Sequence, residues 1–315
     1  MQEKYLELGL CTPESMRAAL DATHALVVGG VTYAALPALA FSERVCAGLF
    51  HVLFVSMCGN SPVAWAACLA FACVDDAAFG RFSRMLGHSE AALGLAAVAL
   101  FMAVYLSHGL LWLCVELYPR AHRYKLQPQQ RVDFARVPAV IAGALAKLLL
   151  LGGPYVLLLS RVVRMHGPLP PYSTRLYLLA GHILCNEVLF YYSHRAFHHR
   201  ALYRRFHKQH HEFRAPYALA ALHAHPVEFV LSDLVPFTAA FVPLRPHIFF
   251  VYQWIVGACL GTQTHHAGYR FPWIAAHDHQ PDFHDRHHAD ARTCFGVLGI
   301  LDFVHGTQRA IACPK

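Results

Sequence analysis

Histidine is concentrated in two stretches of this sequence, and its spacing there could support metal chemistry. The stretch FYYSHRAFHHRALYRRFHKQHH (190–211) contains six of the chain's 24 histidines, and FHDRHH (283–288) contains three more. His194 and His198 are four residues apart, and the pattern H-x-x-H-H occurs at 207–211 and again at 284–288. Because residues three and four apart share one face of a helix, each motif is predicted to point two or three imidazoles at one spot.

These imidazoles are predicted to bind metal. Imidazole suits zinc, copper, iron and nickel, and a single zinc takes about four ligands. Eight clustered histidines therefore indicate more than one ion, and two irons in a shared histidine cage are the natural fit. The alternative, satisfied core or interfacial histidines, suits isolated ones but does not explain the same trio occurring twice. The eight candidates are His194, His198, His207, His210, His211, His284, His287 and His288.

A carboxylate on the same helical stripe could orient one of these rings. Glu187 lies seven residues before His194, which is about two turns of a helix. It is predicted to accept a hydrogen bond from the distal N–H of a liganding imidazole and so fix its tautomer. The alternative is a carboxylate that is neutralised by a nearby arginine.

The composition indicates that membrane helices position these residues. Of the 315 residues, 56% are hydrophobic and 14% are charged, against about 25% charged in an ordinary soluble domain. An apolar stretch of about 18 residues is long enough to cross a bilayer. The clearest stretches are 91–118, 137–160, 174–192 and 217–242, and weaker ones are 24–41, 45–57, 62–74 and 247–260. The predicted fold is all-α, a polytopic integral membrane helical bundle with a histidine-rich di-metal cap.

The charged residues indicate which way the cap faces. Arginine and lysine follow an apolar stretch at 120–136 and surround the histidines at 195–214. Because cationic loops stay on the cytoplasmic side, the histidine segments are predicted to face the cytosol. Nucleic-acid binding has little support, since these residues flank membrane spans instead of forming a soluble basic domain. The ten cysteines are scattered without a C-x-x-C pair, which disfavours a disulfide framework or a cysteine zinc site.

The chain is predicted to divide near residue 118. Alanine-rich apolar helices precede this point, and the polar linker YPRAHRYKLQPQQ (118–130) follows it. The first predicted unit, 1–115, consists of N-terminal transmembrane helices that resemble no known family. The second, 116–312, carries the clustered histidines and is where function is expected.

The order of the motifs, H-x-x-x-H, H-x-x-H-H and H-x-x-H-H, resembles the signature of a known membrane enzyme superfamily. This is the integral-membrane di-iron fatty acid hydroxylase/sterol desaturase superfamily, and the closest resemblance is to its C4-methylsterol oxidase group. Shorter segments carry the same resemblance: RYKLQ (123–127), HAHPVE (223–228), HHAGYRFP (265–272) and LDFVHGT (301–307). Together they cover about residues 115–310.

The resemblance implies a set of site residues and cofactors. The eight clustered histidines would bind two Fe ions, with His266 as a ninth ligand. His225 would be a ligand or a structural support, and Thr262 would reach the metal through water. O2 would be the oxidant, and NAD(P)H would supply electrons through cytochrome b5 or its reductase. The expected location is the endoplasmic reticulum membrane. Surface positions or positions beside the ligands are expected for His199, His223, His265, His277 and His279.

The implied activity is hydroxylation of an unactivated C–H bond in a sterol or related lipid, as in C4-methylsterol oxidation. The lipid would enter from the bilayer, and segments 217–229 and 247–258 are expected to line part of its pocket. A fatty-acyl or sphingolipid hydroxylase and a sterol desaturase are alternatives on the same scaffold. A non-catalytic metal-binding membrane protein, such as a transporter, is a further alternative, although transport favours charged residues within the spans. Two departures from relatives, Asn186-Glu187 for Glu-Asp and Cys294 for Asn, remove no ligand but leave the substrate open.

Overall fold

A computed structural model of the chain describes residues 39–274 and 279–308. Within these ranges the chain forms helices and turns with no strand, which confirms the all-α prediction. We number ten helices in them. They are α1 (Phe41–Met57), α2 (Pro62–Ala72), α3 (Asp76–Met85), α4 (Glu90–Glu116), α5 (Val137–Leu159), α6 (Tyr172–Phe197), α7 (Pro226–Leu244), α8 (Ile248–His266), α9 (Asp282–Asp290) and α10 (Ile300–Val304).

Three of the described helices, α4, α5 and α7, are long and apolar enough to cross a membrane. The pair α2 and α3, bent by 91° at the break between them, would form a fourth span. The predicted spans 91–118 and 137–160 are therefore confirmed as α4 and α5. The predicted span 217–242 begins too early, because α7 starts at Pro226 and a separate 3-10 turn (Ala218–Leu222) precedes it. With these helices the chain is a membrane protein, as predicted.

The predicted spans 174–192 and 247–260 are helical and lie in α6 and α8, but neither helix is among the candidate spans of the described residues. Glu187 in α6 and Gln253 and Gln263 in α8 are polar side chains that lie buried inside the bundle. Polar side chains of this kind face the protein interior and not lipid. The predicted stretch 24–41 lies almost entirely outside the described residues.

Helix α8 is the central helix of the bundle. Sixteen of its 19 residues are buried, as expected for a helix that is apolar on most of its sides. It packs against α4 and α1. Gly261 allows α1 to approach closely, because a Cβ atom there would lie 2.6 Å from the Met57 carbonyl oxygen.

The histidine-bearing segments gather at one end of the bundle. Glu116, at the end of α4, accepts hydrogen bonds from Lys125 Nζ and from the Tyr269 hydroxyl, each at 2.6 Å. Tyr269 follows the end of α8, and Lys125 lies in the linker that leads to α5. The ends of α4 and α8 therefore meet at this linker. Arg136, just before α5, forms an ion pair with Glu212, which directly follows the histidine stretch 190–211.

Candidate metal centre

Nine histidines meet at this end of the bundle in two groups. Within each group, one nitrogen of every ring lies within 4.8 Å of the others. The first group is His194, His198, His207, His211 and His287, and the second is His210, His266, His284 and His288. These are the nine candidates that the sequence singled out, and all but the half-buried His198 are buried.

Each H-x-x-H-H motif is divided between the two groups. His207 and His211 enter the first group, whereas the intervening His210 enters the second. In the other motif His284 and His288 enter the second group and His287 the first. Two rings of each motif therefore point at one spot, within the two or three that the spacing predicted, and the third ring enters the other group. On α9, successive residues are about 100° apart around the helix axis, so His287 and His288 point in different directions and this motif links both groups.

Irregular turns accompany these positions. His194 lies in the last turn of α6, and His198 caps that helix with its N–H bonded to the His194 carbonyl at 3.2 Å. His207 ends a π turn (Tyr203–His207), and a 3-10 turn (His210–Glu212) follows it. The motif at 207–211 is therefore not on a regular α-helix, in contrast to the one at 284–288 on α9.

Five of the nine rings are held from outside by hydrogen bonds at Nδ1. Four of these bonds go to backbone carbonyl oxygens at 2.7–3.1 Å, and one goes to the Glu228 carboxylate at 2.7 Å. The pairs are His194–Phe295, His266–Thr262, His287–Thr293, His288–Phe213 and His207–Glu228. Carbonyl and carboxylate oxygens accept, so Nδ1 carries the proton and the Nε2 lone pair of each neutral ring is left free.

The Nε2 atoms point at one another. His198 Nε2 lies 2.8 Å from His207 Nε2 and 3.1 Å from His287 Nε2. His284 Nε2 lies 2.8 Å from His266 Nε2 and 3.1 Å from His288 Nε2. His198 and His284 are each in contact with two other Nε2 atoms. A proton on Nε2 of either ring could satisfy only one of these two contacts, so lone pairs face each other unless a cation lies between them.

The spacing of the rings fits a metal ion. Two imidazole nitrogens bound at about 2.1 Å and at right angles to each other lie about 3.0 Å apart. The Nε2 separations of 2.8–3.1 Å in each group agree with this geometry. His194 Nε2, which is buried without a hydrogen-bond partner, is also explained if it completes the first group. Nine nitrogen donors in two sets fit two ions of the imidazole-binding kind.

The electrostatics of the site favour metal binding. Burial, and then crowding by the other histidines, lowers the pKa of His211 and His288 far below the ordinary value of 6.5. The same two causes lower the pKa of His207. The rings are therefore neutral near pH 7, and neutral imidazole is the form that binds a metal.

The carboxylate that orients a ring is Glu228 and not Glu187. Glu228 lies in the first turn of α7, is buried, and accepts the hydrogen bond from His207 Nδ1. The sequence contained a signal for it, because Glu228 ends the HAHPVE segment and is an acidic residue at the start of an apolar stretch. Glu187 instead accepts hydrogen bonds from the backbone N–H groups of Val297 and Leu298, at 2.9 and 2.8 Å.

Glu187 nevertheless acts on a histidine through the backbone. Asp302, in the LDFVHGT segment, accepts hydrogen bonds from the Phe295 and Gly296 N–H groups at 2.9 and 2.7 Å. Together with the two bonds to Glu187, these fix the segment 295–298. The Phe295 carbonyl of that segment accepts the hydrogen bond from His194 Nδ1. Glu187 and Asp302 therefore both hold the His194 ring in place through the backbone.

The other proposed site residues lie outside both groups. His225 is the N-cap of α7, where its Nδ1 accepts a hydrogen bond from the Val227 N–H at 3.2 Å. Thr262 contributes its backbone carbonyl to His266. His199 caps the short helix that follows α6, and His223 Nε2 lies 3.2 Å from the Glu212 carboxylate. His277 is outside the described residues.

The RYKLQ and HHAGYRFP segments run side by side and support the third histidine motif. The Leu126 N–H donates to the Gly268 carbonyl at 2.9 Å. Gln127 Nε2 donates to the Arg214 carbonyl at 2.8 Å and lies 3.2 and 3.1 Å from the two oxygens of Asp285. Asp285 lies on α9 between the ligand candidates, so Gln127 links that helix to the chain that follows the second motif.

A mainly apolar cavity leads from the histidines into the bundle, between α4, α5, α7 and α8. His194 and three histidines of the second group form part of its wall, and Thr262 and His265 line it as well. Both segments that were expected to line a pocket contribute to it. The residues are Ala221, Leu222, Glu228 and Phe229 from 217–229, and Ile248, Val251, Trp254, Ile255 and Ala258 from 247–258.

Comparison with known proteins gives a relationship for this arrangement. Residues 179–307 match the family model for fatty acid hydroxylase. Fatty acid hydroxylase domain-containing protein 2 of Macaca fascicularis is 35% identical over 193 residues, 59% of this chain and 57% of that protein. The chain therefore spans little more than half the length of this relative. No solved structure gives a significant match.

Two sterol-modifying oxidoreductases are matched over more of their length. The C-4 methylsterol oxidase of Schizosaccharomyces pombe is 28% identical over 214 residues, 62% of this chain and 70% of that protein. Methylsterol monooxygenase 2-2 of Arabidopsis thaliana is 27% identical over 220 residues, 66% of this chain and 82% of that protein. These matches confirm the resemblance that the histidine motifs indicated. Residues 179–307 of the chain are thus similar to the fatty acid hydroxylase family, and the chain is similar to named methylsterol oxidases over a larger part of its length.

Proposed function

We propose that this chain is a membrane-bound di-iron monooxygenase that hydroxylates an unactivated C–H bond of a sterol or related lipid, with C4-methylsterol oxidation as the leading reaction. One observation carries the proposal. Nine histidines, eight of them buried, direct nitrogen atoms into two adjacent groups, and five of them are fixed at Nδ1 so that the Nε2 lone pairs face inward. Iron bound there would activate O2 for attack on a C–H bond that offers no acid or base handle.

The protein's own residues would hold the metals, orient the lipid and exclude water. Glu228 and the four backbone carbonyls fix the ring tautomers before the metals bind. Only part of the cavity wall is formed by histidine, and the remainder is mainly apolar, so a lipid chain would lie there with little bound water. Helices α4, α5 and α7 expose leucines where the bilayer would lie, including Leu110, Leu150 and Leu231, which supports entry of the substrate from the membrane.

The surface around the histidines supports an electron donor on the cytosolic face of the endoplasmic reticulum. Exposed basic side chains lie in and next to the histidine stretch 190–211, namely Arg195, Arg200, Arg204, Arg205, Lys208 and Arg214. Positive loops remain cytosolic, and a positive surface attracts an acidic partner. We therefore propose NAD(P)H as the electron source, acting through cytochrome b5 or its reductase.

The test is metal analysis of the purified protein together with a turnover assay that supplies NAD(P)H, O2, cytochrome b5 and a methylsterol. About two irons per chain are expected. His207→Ala should abolish turnover, because it removes a ring from the first group and leaves Glu228 without its partner, while the protein remains in the membrane. The matched control is His199→Ala, which changes an exposed histidine of the same stretch outside both groups and should keep turnover.

The outcome also separates the alternatives. One zinc and no iron, or full turnover by His207→Ala, would contradict the oxygenase proposal and favour a non-catalytic metal protein. Iron with no sterol product, followed by product from fatty-acyl or sphingolipid substrates, would move the assignment to a lipid hydroxylase of another class. A new double bond without an added oxygen would identify a desaturase.

A further inference from the structure

A charged side chain inside a membrane span is costly and marks function. Asp233 lies near the middle of α7, one of the candidate spans, and lines the cavity. Its Oδ2 atom is buried and has no hydrogen-bond partner. An unsatisfied carboxylate oxygen in an apolar wall is an acceptor without a donor, and a bound molecule can supply one.

The position of Asp233 relative to the histidines follows from a contact between α6 and α7. Ser193 Oγ and Ser232 Oγ are 3.1 Å apart. Each is adjacent in sequence to a residue of the cavity wall, Ser193 to His194 and Ser232 to Asp233. Asp233 therefore lies at about the same depth in the bundle as His194.

Several other polar groups of the cavity wall are engaged, whereas the second oxygen of Glu228 is, like Asp233 Oδ2, buried without a partner. The Tyr155 hydroxyl and Thr238 Oγ1 bond to each other at 2.8 Å. Gln263 bonds to His108 and to the Tyr105 carbonyl. Glu228 uses one oxygen for His207. Asp233 has a buried acceptor and no such commitment to the candidate metal ligands.

Lys147, near the middle of α5, supplies a compensating charge. It acts electrostatically on both Asp233 and Glu228. None of the ion pairs formed by the described residues joins it to Asp233. The lysine therefore offsets part of the cost of a negative charge at this depth without occupying the acceptor that faces the cavity.

A π turn also places the two acidic residues together. Phe229–Leu234 is a π turn within α7, and in such a turn residues five apart align on one side. Glu228 and Asp233 are five apart and both line the cavity. Turns of this kind occur preferentially at functional sites.

We propose that Asp233 accepts a hydrogen bond from a hydroxyl group of the lipid that occupies this cavity. Because Asp233 lies level with His194, the carbon that is oxidised would lie within a few bonds of that hydroxyl. This second part rests on the proposed oxygenase function, whereas the hydroxyl site does not. Asp233 would thereby determine both which lipids bind and where along them the reaction occurs.

The test is an equilibrium binding assay that needs no turnover. The full chain, purified with its metals and kept without reductant, is loaded with a fluorescent sterol. The sterol is then displaced by a methylsterol or by the analogue that lacks its hydroxyl. A second pair, a ceramide and its deoxy form, distinguishes a sterol source of the hydroxyl from a sphingolipid source. A hydrogen bond to an otherwise unpartnered buried acceptor predicts a preference of severalfold to about tenfold for the hydroxyl form of one pair.

Variants assign the preference to Asp233. Asp233→Leu should bring the ratio of the two affinities to about one. Asp233→Asn should reduce this ratio severalfold, and it is the deciding variant if Asp233→Leu does not elute as a monodisperse protein. Thr238→Val, at another polar position of the wall, is the control and should keep the preference. No preference in either lipid pair for the wild type, or an unchanged preference in a folded Asp233 variant, would overturn the site. Failure of turnover would leave this result intact, and oxygen inserted far from the hydroxyl would overturn only the second part.

Discussion

At the scale of single residues, the centre is organised by the tautomers of its histidines. Four rings are fixed by backbone carbonyl oxygens, which side-chain substitution cannot remove. His207 is different, because its Nδ1 proton goes to the Glu228 side chain. Among these five rings, His207 is therefore the one whose hydrogen-bond acceptor can be removed by a single side-chain substitution.

We expect Glu228→Ala to weaken metal binding in the first histidine group by about 10–100-fold. The change removes the acceptor for His207 Nδ1, so the ring can rotate or adopt the other tautomer. Metal content after equilibration with a graded chelator should fall towards one ion per chain before the second ion is lost. Glu228→Gln keeps an acceptor and should retain most of the affinity, and Glu212→Ala, at an exposed carboxylate, should leave both ions bound. Parallel loss of both ions in Glu228→Ala would contradict the division into two groups.

The sequence predicted residues whose identity determines the chemistry, but not partners that depend on the fold. Eight of the histidines were singled out because their type and spacing are visible along the chain, and His266 was added by the resemblance of its segment to the family. Glu187 was assigned to an imidazole because it lies on the same helical stripe as His194, whereas the backbone of segment 295–298 intervenes between them. Cys294 shows a further limit. Its φ of 63° lies in the left-handed region, where asparagine is tolerated better than most residues, so the asparagine of relatives has a conformational explanation that no sequence pattern shows.

At the scale of elements, long helices were predictable and their irregular turns were not. Apolar length gave α4 and α5 almost to the residue. The π turn at Tyr203–His207 and the 3-10 turn after it depend on tertiary contacts, because isolated helical propensity favours the regular α-helix. The contact between RYKLQ and α9 is likewise non-local, since Gln127 and Asp285 are 158 residues apart.

We expect Gln127→Ala to lower the thermal midpoint of the protein and to weaken metal binding in both groups. Asp285 is buried, and removing a donor from a buried carboxylate costs about 1–3 kcal/mol. Because α9 carries histidines of both groups, its displacement should affect both ions, in contrast to the effect of Glu228→Ala. Unfolding in detergent and chelator titration are the measurements. Gln129→Ala, in the exposed part of the same linker, is the control, and equal midpoints for the two variants would contradict the proposed support.

At the scale of the whole molecule, the centre exists only when distant segments are assembled. α6, the stretch 203–212, the end of α8 and α9 each contribute rings. Folding therefore brings together buried imidazoles that repel when protonated, and a bound metal stabilises the folded state in proportion to its affinity. This coupling makes the stability of the chain depend on pH in a direction that can be stated in advance.

We expect the stability of the chelator-treated protein to fall as the pH falls below about 6.5. Burial, with crowding by neighbouring rings, lowers the pKa of His207, His211 and His288 from 6.5 in the folded state. The unfolded chain then takes up protons that the folded chain cannot, and each histidine contributes up to about 1.4 kcal/mol per pH unit. Asp285, whose pKa is raised to about 6 by burial, acts in the opposite direction but is outnumbered by the clustered histidines.

The same reasoning predicts how metal changes this dependence. Neither the metal-loaded nor the metal-free folded state takes up a second proton on these rings, so at a fixed free metal concentration the two stability curves should have similar slopes. The loaded protein should lie above the metal-free one at every pH where the metal stays bound. Thermal midpoints in detergent between about pH 5 and 8, with and without chelator, measure both effects, and His199→Ala serves as the control with an unchanged slope. A metal-free midpoint that stays constant over this range would show that the rings are not buried together as neutral imidazoles, and the metal centre would then have to be formed differently.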